Sequence, residues 1–305
     1  KISSPGFSIY SDADVNAYNG YVYIIEHLGA DNIIKFDPSK NDQSGIQYQK
    51  HIGDNWNPND IEFVSDTKAY ISNMNKPQIT IFNPSTAAIL DSIDISAYTY
   101  LKDSNTTPYA TDLQMAGSDL YVMLQRRNGY NPGAPTLILK INTLTNAVVD
   151  TIPLKYKNGY AMTYYDGALY VTNPGSLYDV GDGGIEKINL ADKVVTDIIT
   201  ETTLGGNPNK IVHKNGSRFY ITNYIGWKNV PVMEIDVATG SIVASVPNVK
   251  DAFGGIFYDI VDSTLYVGDR DSLEMGVRIF KNNTQVGDVV KSSGSLPSTS
   301  LIVLR

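Results

Sequence analysis

Residues 169–173 read Leu-Tyr-Val-Thr-Asn, and five further versions of that string recur along the chain. They are Val22-Tyr23-Ile24, Ala69-Tyr70-Ile71-Ser72-Asn73, Leu120-Tyr121-Val122-Met123, Phe219-Tyr220-Ile221-Thr222-Asn223 and Leu265-Tyr266-Val267-Gly268-Asp269. The tyrosines fall at 23, 70, 121, 170, 220 and 266, so consecutive copies lie 47, 51, 49, 50 and 46 residues apart. Aromatic and β-branched residues in so short a run favour a strand. A strand-rich unit recurring at that interval is the signature of a β-propeller, each repeat forming one four-stranded blade.

A second landmark follows each tyrosine: an alternating strand that ends in Asp or Asn. Examples are Ile34-Lys35-Phe36-Asp37, Thr80-Ile81-Phe82-Asn83, Leu139-Lys140-Ile141-Asn142, Glu186-Lys187-Ile188-Asn189 and Met233-Glu234-Ile235-Asp236. The sixth copy departs, with Arg278-Ile279-Phe280 followed by Lys281. Alternation buries one face, and an Asx side chain starts a tight turn by accepting from backbone two residues on. A further strand comes after that turn (88–93, 147–152, 194–199, 241–246), and another precedes each tyrosine. The expected fold is all-β: a propeller of four-stranded antiparallel blades with almost no helix. Six blades are favoured because no seventh tyrosine strand exists, although the two ends could assemble a seventh. Pro297 to Leu304 resembles Pro58 to Val64, so strands from both termini are expected to close the ring. The repeats run nearly end to end, and 1–305 is read as a single domain.

Composition narrows the partners. The net charge is −8, with 32 acidic against 24 basic residues, which argues against a nucleic acid, whose phosphates need clustered Lys and Arg. The absence of cysteine removes disulfides and thiolate chemistry. No apolar run approaches the roughly 18 residues of a membrane-spanning helix. The chain starts at Lys1, read here as a mature form whose leader has gone.

The strings Tyr170-Val171-Thr172-Asn173 and Tyr220-Ile221-Thr222-Asn223, with Ile235-Asp236-Val237-Ala238-Thr239-Gly240, resemble the YVTN-type β-propeller repeat over roughly residues 12–290. The resemblance implies an exported or surface-attached bacterial or archaeal protein, in the periplasm or at the cell surface. Its members include surface-layer components, nutrient-capturing lipoproteins and a few lyases, and most are seven-bladed. A fold so widely shared does not select a function.

Loop lengths indicate where a site belongs. Connections between second and third strands share one face with those leading to the next blade, whereas the remaining connections are expected to be uniformly short. From tyrosine to Asx landmark the chain runs 23→37, 70→83, 121→142, 170→189 and 220→236. The excess lies in 124–136, 173–184 and 223–231, and the link 95–112 is also long. Insertions on one face of a repeat array mark a binding face. These loops carry Trp56, Tyr98, Tyr100, Tyr109, Arg126, Arg127, Tyr130, Tyr178, Tyr224 and Trp227. Aromatics supply contact area at low entropic cost and arginines supply planar charged donors. These residues are the candidate ligand site; the plainer reading is that each packs its loop onto the blades. The six repeat tyrosines are framework.

Catalytic and metal chemistry is sparsely signalled. His27, His51 and His213 occupy unrelated positions without metal-ligand spacing. His27, ending a second strand, suits a ligand or an acid–base group, the favoured reading being a solvent-facing or hydrogen-bonded loop histidine. Asp12-Ala13-Asp14-Val15-Asn16 fails as a calcium loop, with Ala17 and Tyr23 where Gly and Glu are required. Asp179 to Gly184 and Asp269-Arg270-Asp271 concentrate carboxylates that suit a solvated turn or a hard cation. Asn105-Thr106-Thr107, Asn215-Gly216-Ser217 and Asn282-Asn283-Thr284 match the glycosylation sequon, which carries little weight in a prokaryotic chain. No cofactor or metal site is expected. The leading expectation is a monomeric, non-catalytic binding protein for a small-molecule nutrient, a corrinoid-like ligand being one candidate, or for a surface or outer-membrane partner. The alternatives are a lyase or hydrolase with its site at the central pore, and a structural surface-layer or adhesion module.

Overall fold

The computed structural model describes residues 8–10, 12–40, 42–101, 105–177, 179–253, 255–291 and 300–304. Among them are six four-stranded antiparallel sheets, each built from four strands consecutive in the chain, and the fold is a six-bladed β-propeller. The first blade holds Ala13–Tyr18, Tyr21–Glu26, Asn32–Phe36 and Ile46–His51. The second holds Pro58–Ser65, Lys68–Asn73, Gln78–Asn83 and Ala88–Asp94, and the third Ala110–Ala116, Asp119–Leu124, Pro135–Asn142 and Ala147–Lys157. The fourth comprises Ala161–Tyr165, Ala168–Asn173, Gly184–Asn189 and Val195–Thr200. The fifth comprises Asn207–Asn215, Arg218–Tyr224, Val232–Asp236 and Ser241–Ser245, and the sixth Ile256–Asp259, Thr264–Asp269, Gly276–Lys281 and Thr284–Gln285.

No described sheet mixes the two ends of the chain. The first blade is complete from residues 13–51 alone, and the sixth from 256–285. Pro297, on which the closure expectation leaned, lies outside the described residues, and 300–304 form no strand. The described chain forms two compact units, one running up to Gly159 and the other from Tyr160 to Val303. Each contains three blades.

Packing explains the repeated tyrosines. In the first unit Tyr23, Ile25 and Ile33 meet Ile61, Ile71 and Phe82 of the next blade. Tyr70, Ile79 and Ile81 likewise meet Leu113, Val122 and Leu139. In the second unit Tyr170 and Ile185 pack on Phe219 and Ile221, and Tyr220 and Val232 on Tyr258 and Leu265. The core therefore lies between successive blades, where each large side chain removes apolar area worth roughly 1.5–3 kcal/mol. The phenol at the far end still needs a partner. Tyr70 Oη donates to Asn146 Oδ1 at 2.7 Å and Tyr220 Oη to Asn283 Oδ1 at 2.7 Å, each reaching a turn of the following blade. Burial pushes the Tyr23 and Tyr70 phenols up to about 12.

The threonine of the repeat has its own task. Thr172 Oγ1 accepts from Ala161 N–H in its own blade and donates to the Asn209 carbonyl in the next. Ser72 does the same between Asp60 N–H and the Thr111 carbonyl. The Asx turns are equally explicit. Asn83 Oδ1 accepts from Ser85 N–H, Asn142 Oδ1 from Leu144 N–H, Asn189 Oδ1 from Ala191 N–H and Asp236 Oδ1 from Ala238 N–H, all at 2.9–3.0 Å. One connection breaks the expected pattern of short third-to-fourth links. In the first blade the chain before Ile46–His51 forms a 3-10 turn, Gln43–Gly45, capped by Asp42. Helix is confined to Glu201–Leu204 and two 3-10 turns among the described residues.

Candidate functional site

In the unit ending at Gly159, parallel first strands fix which loops share an end. Asp60 Oδ2 accepts from Leu113 N–H at 2.9 Å and Glu62 Oε1 from Met115 N–H at 3.0 Å. The two strands thus advance together from the second blade to the third. Loop residues 52–57, 74–77, 95–101, 105–109 and 125–134 consequently emerge at one end, and they are bonded into a belt. Asn75 N–H donates to the Trp56 carbonyl at 3.2 Å, Met74 N–H to the Asn57 carbonyl at 3.0 Å, and Thr107 Oγ1 to the Met74 carbonyl at 3.1 Å.

The sequence-derived residues divide along this belt. Trp56 is half-buried, flat against Gly53, where a Cβ would stand 2.4 Å from its Nε1. Tyr98 packs on the core between the second and third blades. Both are chiefly structural. Tyr100, Tyr109, Arg126, Arg127 and Tyr130 are brought together instead. Gly133 passes beneath Tyr100, its absent Cβ leaving room for a ring carbon at 2.7 Å. Gln125 N–H donates to the Tyr109 carbonyl and Arg126 N–H to the Pro108 carbonyl, both at 3.0 Å. The Arg127 guanidinium lies 5.8 Å from the Tyr109 ring centre, within cation–π range. Its Nη2 donates to the Tyr130 carbonyl at 2.9 Å. The Tyr130 side chain is 96% exposed at the tip of the 128–131 hairpin.

Asn105 organises this cluster, a role its sequence pattern did not announce. Its Nδ2 donates to the Tyr100 carbonyl at 3.3 Å and to the Arg127 carbonyl at 2.6 Å, while its Oδ1 accepts from Gly129 N–H at 3.4 Å. Two backbones here are left-handed without glycine: Tyr109 at φ 58° and Arg126 at φ 51°. Such positions cost on the order of 1 kcal/mol or more and gather at functional sites.

The second unit holds the remaining candidates. Tyr224 makes an edge contact with Phe253, ring centres 6.4 Å apart, and Trp227 is 81% exposed on the 226–229 hairpin. Tyr178 lies outside the described residues. A cleft of about 380 Å³ is lined by Asn248, Lys250, Asp271, Leu273, Glu274, Arg278 and Gln285. Its charges pair internally: Lys250 Nζ meets Asp271 at 2.7 Å, and Arg278 meets Asp269 at 2.8 Å and Glu274 at 3.1 Å. Asp269 is fully buried, so it is an ion-pair partner and not the solvated residue expected, although its Oδ1 still accepts from Asp271 N–H at 3.1 Å in a tight turn. In the other acidic loop Glu201 Oε2 accepts from Gly181 and Gly183 N–H, and Asp182 Oδ1 from Ser176 N–H.

The histidines stay apart. His27 is 9% exposed, its Nδ1 3.2 Å from Asp12 Oδ1 and its Nε2 buried without a partner, 4.0 Å from Asp14. The His27 bond holds the Asp12 carboxyl below its usual range. His51 meets Asp54 at 2.9 Å and His213 stacks on Tyr165 at 3.7 Å. Among the described residues no group of three or more His, Asp or Glu could hold a metal ion. No helix among them is long and apolar enough to cross a membrane.

The repeat chemistry and blade topology define the class of protein as a β-propeller, and comparison with solved structures agrees. Hydrazine synthase of Kuenenia stuttgartiensis matches with a TM-score of 0.65 at 15% identity, over 88% of this chain and 82% of that one. The computationally designed Ika8 protein matches at 0.63 and 10% identity, over 98% and 93%. A functionally unknown protein from Desulfotomaculum acetoxidans DSM 771 matches at 0.61 and 16%, over 90% and 79%. Identities this low speak to fold alone. No family model matches the chain, and no curated protein does.

Proposed function

We propose that this propeller belongs to the YVTN-type group and serves as a non-catalytic binding protein, exported to the periplasm or cell surface. Its ligand is a small molecule, a corrinoid-like nutrient being one candidate, or a partner protein. The observation that carries this reading is the cluster of Tyr100, Tyr109, Arg126, Arg127 and Tyr130. Tyr23, Tyr70, Tyr170 and Tyr220 of the repeat are taken up by packing between blades, but these five sit in long connections, held by Asn105 and by backbone bonds. A rigid scaffold bearing aromatic and arginine side chains on long loops is the usual construction of a recognition surface. Native mass spectrometry of protein isolated from its source tests the reading, together with thermal-shift measurements across a metabolite panel that includes a corrinoid. A retained molecule or a ligand-induced shift supports it. Neither in any condition overturns it.

The enzymatic alternative rests on one observation, the Asp12–His27 pair with a buried, unpartnered Nε2 beside Asp14. A carboxylate orienting an imidazole is the arrangement of a general base. Turnover abolished by His27→Gln on a hydrolase and lyase substrate panel would establish it.

A further inference from the structure

We infer that the Arg126–Arg127 loop is an anion site, taking the carboxylate or phosphate group of a ligand, with Arg127 as the principal contact. This rests on the binding reading above and names the chemistry of what is bound.

The other arginines among the described residues are Arg218, Arg270 and Arg278. Arg218 lies 3.5 Å from Asp236, Arg270 2.9 Å from Asp251, and Arg278 2.8 Å from Asp269. Each guanidinium thus faces a carboxylate, as expected where acidic residues outnumber basic ones. Arg126 and Arg127 do not. Among the described residues their side chains hydrogen-bond only to backbone carbonyls: Pro135 for Arg126 at 3.5 Å and Tyr130 for Arg127 at 2.9 Å. The Nε of each is buried and has no acceptor. Two adjacent cations, half-buried and without an anion among the described residues, are electrostatically incomplete. Burial itself holds the Arg127 guanidinium below its ordinary pKa, the direction of an uncompensated charge.

The surroundings make the pair a site and not an accident of sequence. The Tyr109 ring lies beside the Arg127 guanidinium, and the backbones of Tyr109 and Arg126 are both held left-handed. Asn105 bonds the Arg127 carbonyl and so fixes the loop from which the guanidinium projects. The exposed Tyr130 ring, on the same hairpin, offers an apolar surface to the remainder of the ligand. A guanidinium presents parallel N–H groups that match the two oxygens of a carboxylate or phosphate. Of five donors on Arg127, one is used by the Tyr130 carbonyl.

Binding of inorganic phosphate and of benzoate to the full chain tests the proposal, by calorimetry at low and high salt and by NMR of the arginine Nε–H resonances. The expected result is binding of at least one anion, weakened by salt, with the Arg127 Nε–H signal shifting on addition. Arg127→Gln should lower that affinity at least tenfold while circular dichroism and thermal midpoint stay near wild type. Arg127→Lys should fall between. If Arg127→Gln does not fold, the Nε–H shift in the unaltered protein decides. An unmoved Arg127 signal, or equal affinity in Arg127→Gln, overturns the anion site. A neutral ligand that binds wild type and Arg127→Gln alike would leave the binding face standing and remove only this inference.

Discussion

The phenol of Tyr70 donates a 2.7 Å hydrogen bond to Oδ1 of Asn146, passing from the second blade to a turn of the third. The same oxygen accepts from Lys68 Nζ at 2.7 Å. The tyrosine is thus an apolar wedge with a polar tip whose partner a different repeat supplies. Tyr70→Phe keeps the wedge and deletes the tip, and should cost about 1–2 kcal/mol in urea unfolding. Tyr130→Phe, on an exposed ring, should leave stability unchanged.

Thr172 should be more sensitive than its size suggests. Its hydroxyl satisfies an N–H in its own blade and a carbonyl in the next, all buried. Thr172→Val preserves shape but strands both backbone groups, each at about 1–3 kcal/mol. Chemical denaturation should show a loss larger than that of Tyr70→Phe.

Asp269 stands where three other repeats carry Asn (Asn73, Asn173 and Asn223), so Asp269→Asn looks like a return to consensus. The prediction is the opposite. Arg278, 4% exposed, would lose its buried carboxylate and keep the more exposed Glu274 carboxylate with neutral acceptors on Gln285 and the Glu274 carbonyl. Removing one member of a buried pair costs about 3–5 kcal/mol, and a thermal midpoint lowered by several degrees checks this. A gain in stability would refute it.

Glu62 gives the protein a pH response in an uncommon window. Burial, joined by the neighbouring Asp60 charge, pushes its carboxyl up to about 7, against the pull of the Met115 and Phe63 N–H groups. With the folded-state value above the ordinary 4.5, its stabilising contribution is fully present below that value. It is lost as pH rises through about 7. His213, whose pKa burial lowers, has the opposite slope near neutrality. The informative quantity is therefore wild type minus Glu62→Gln. That difference should shift in favour of the variant between pH 5 and 8, measured by urea midpoints. A flat difference would show that Glu62 titrates normally.

Lys193 offers a stabilising change. It is exposed and left-handed at φ 62°, in the turn position that Gly240 occupies in the next blade. Lys193→Gly should gain about 0.5–1 kcal/mol by relieving the positive φ.

The blades were legible because their determinants are local and repeated. Tyr170, Thr172 and the Asx residue Asn189 are recognisable by type and interval, and the side chain of each does what its chemistry suggests. The site was legible only as a set of loops. Arg126 and Arg127 stood out as a charged pair, but their lack of a carboxylate depends on what surrounds them in space. Asn105 was hidden for a related reason. Its work is done on the carbonyls of Tyr100 and Arg127, 5 and 22 positions away, and no pattern in the chain encodes an acceptor that is merely backbone. The packing of Tyr98 on a core cluster and of Trp56 on Gly53 was equally unreadable, because it too depends on what lies beneath each ring.

The Asn105 clamp also bears on how the protein should be produced. Both hydrogens of its amide are committed, one to Tyr100 and one to Arg127, yet Asn105-Thr106-Thr107 is an acceptor for N-linked sugar. Passage through a eukaryotic secretory pathway would replace one of those hydrogens with a glycan and pull the arginine loop from its mooring, so a bacterial host is the appropriate source of material with this surface intact.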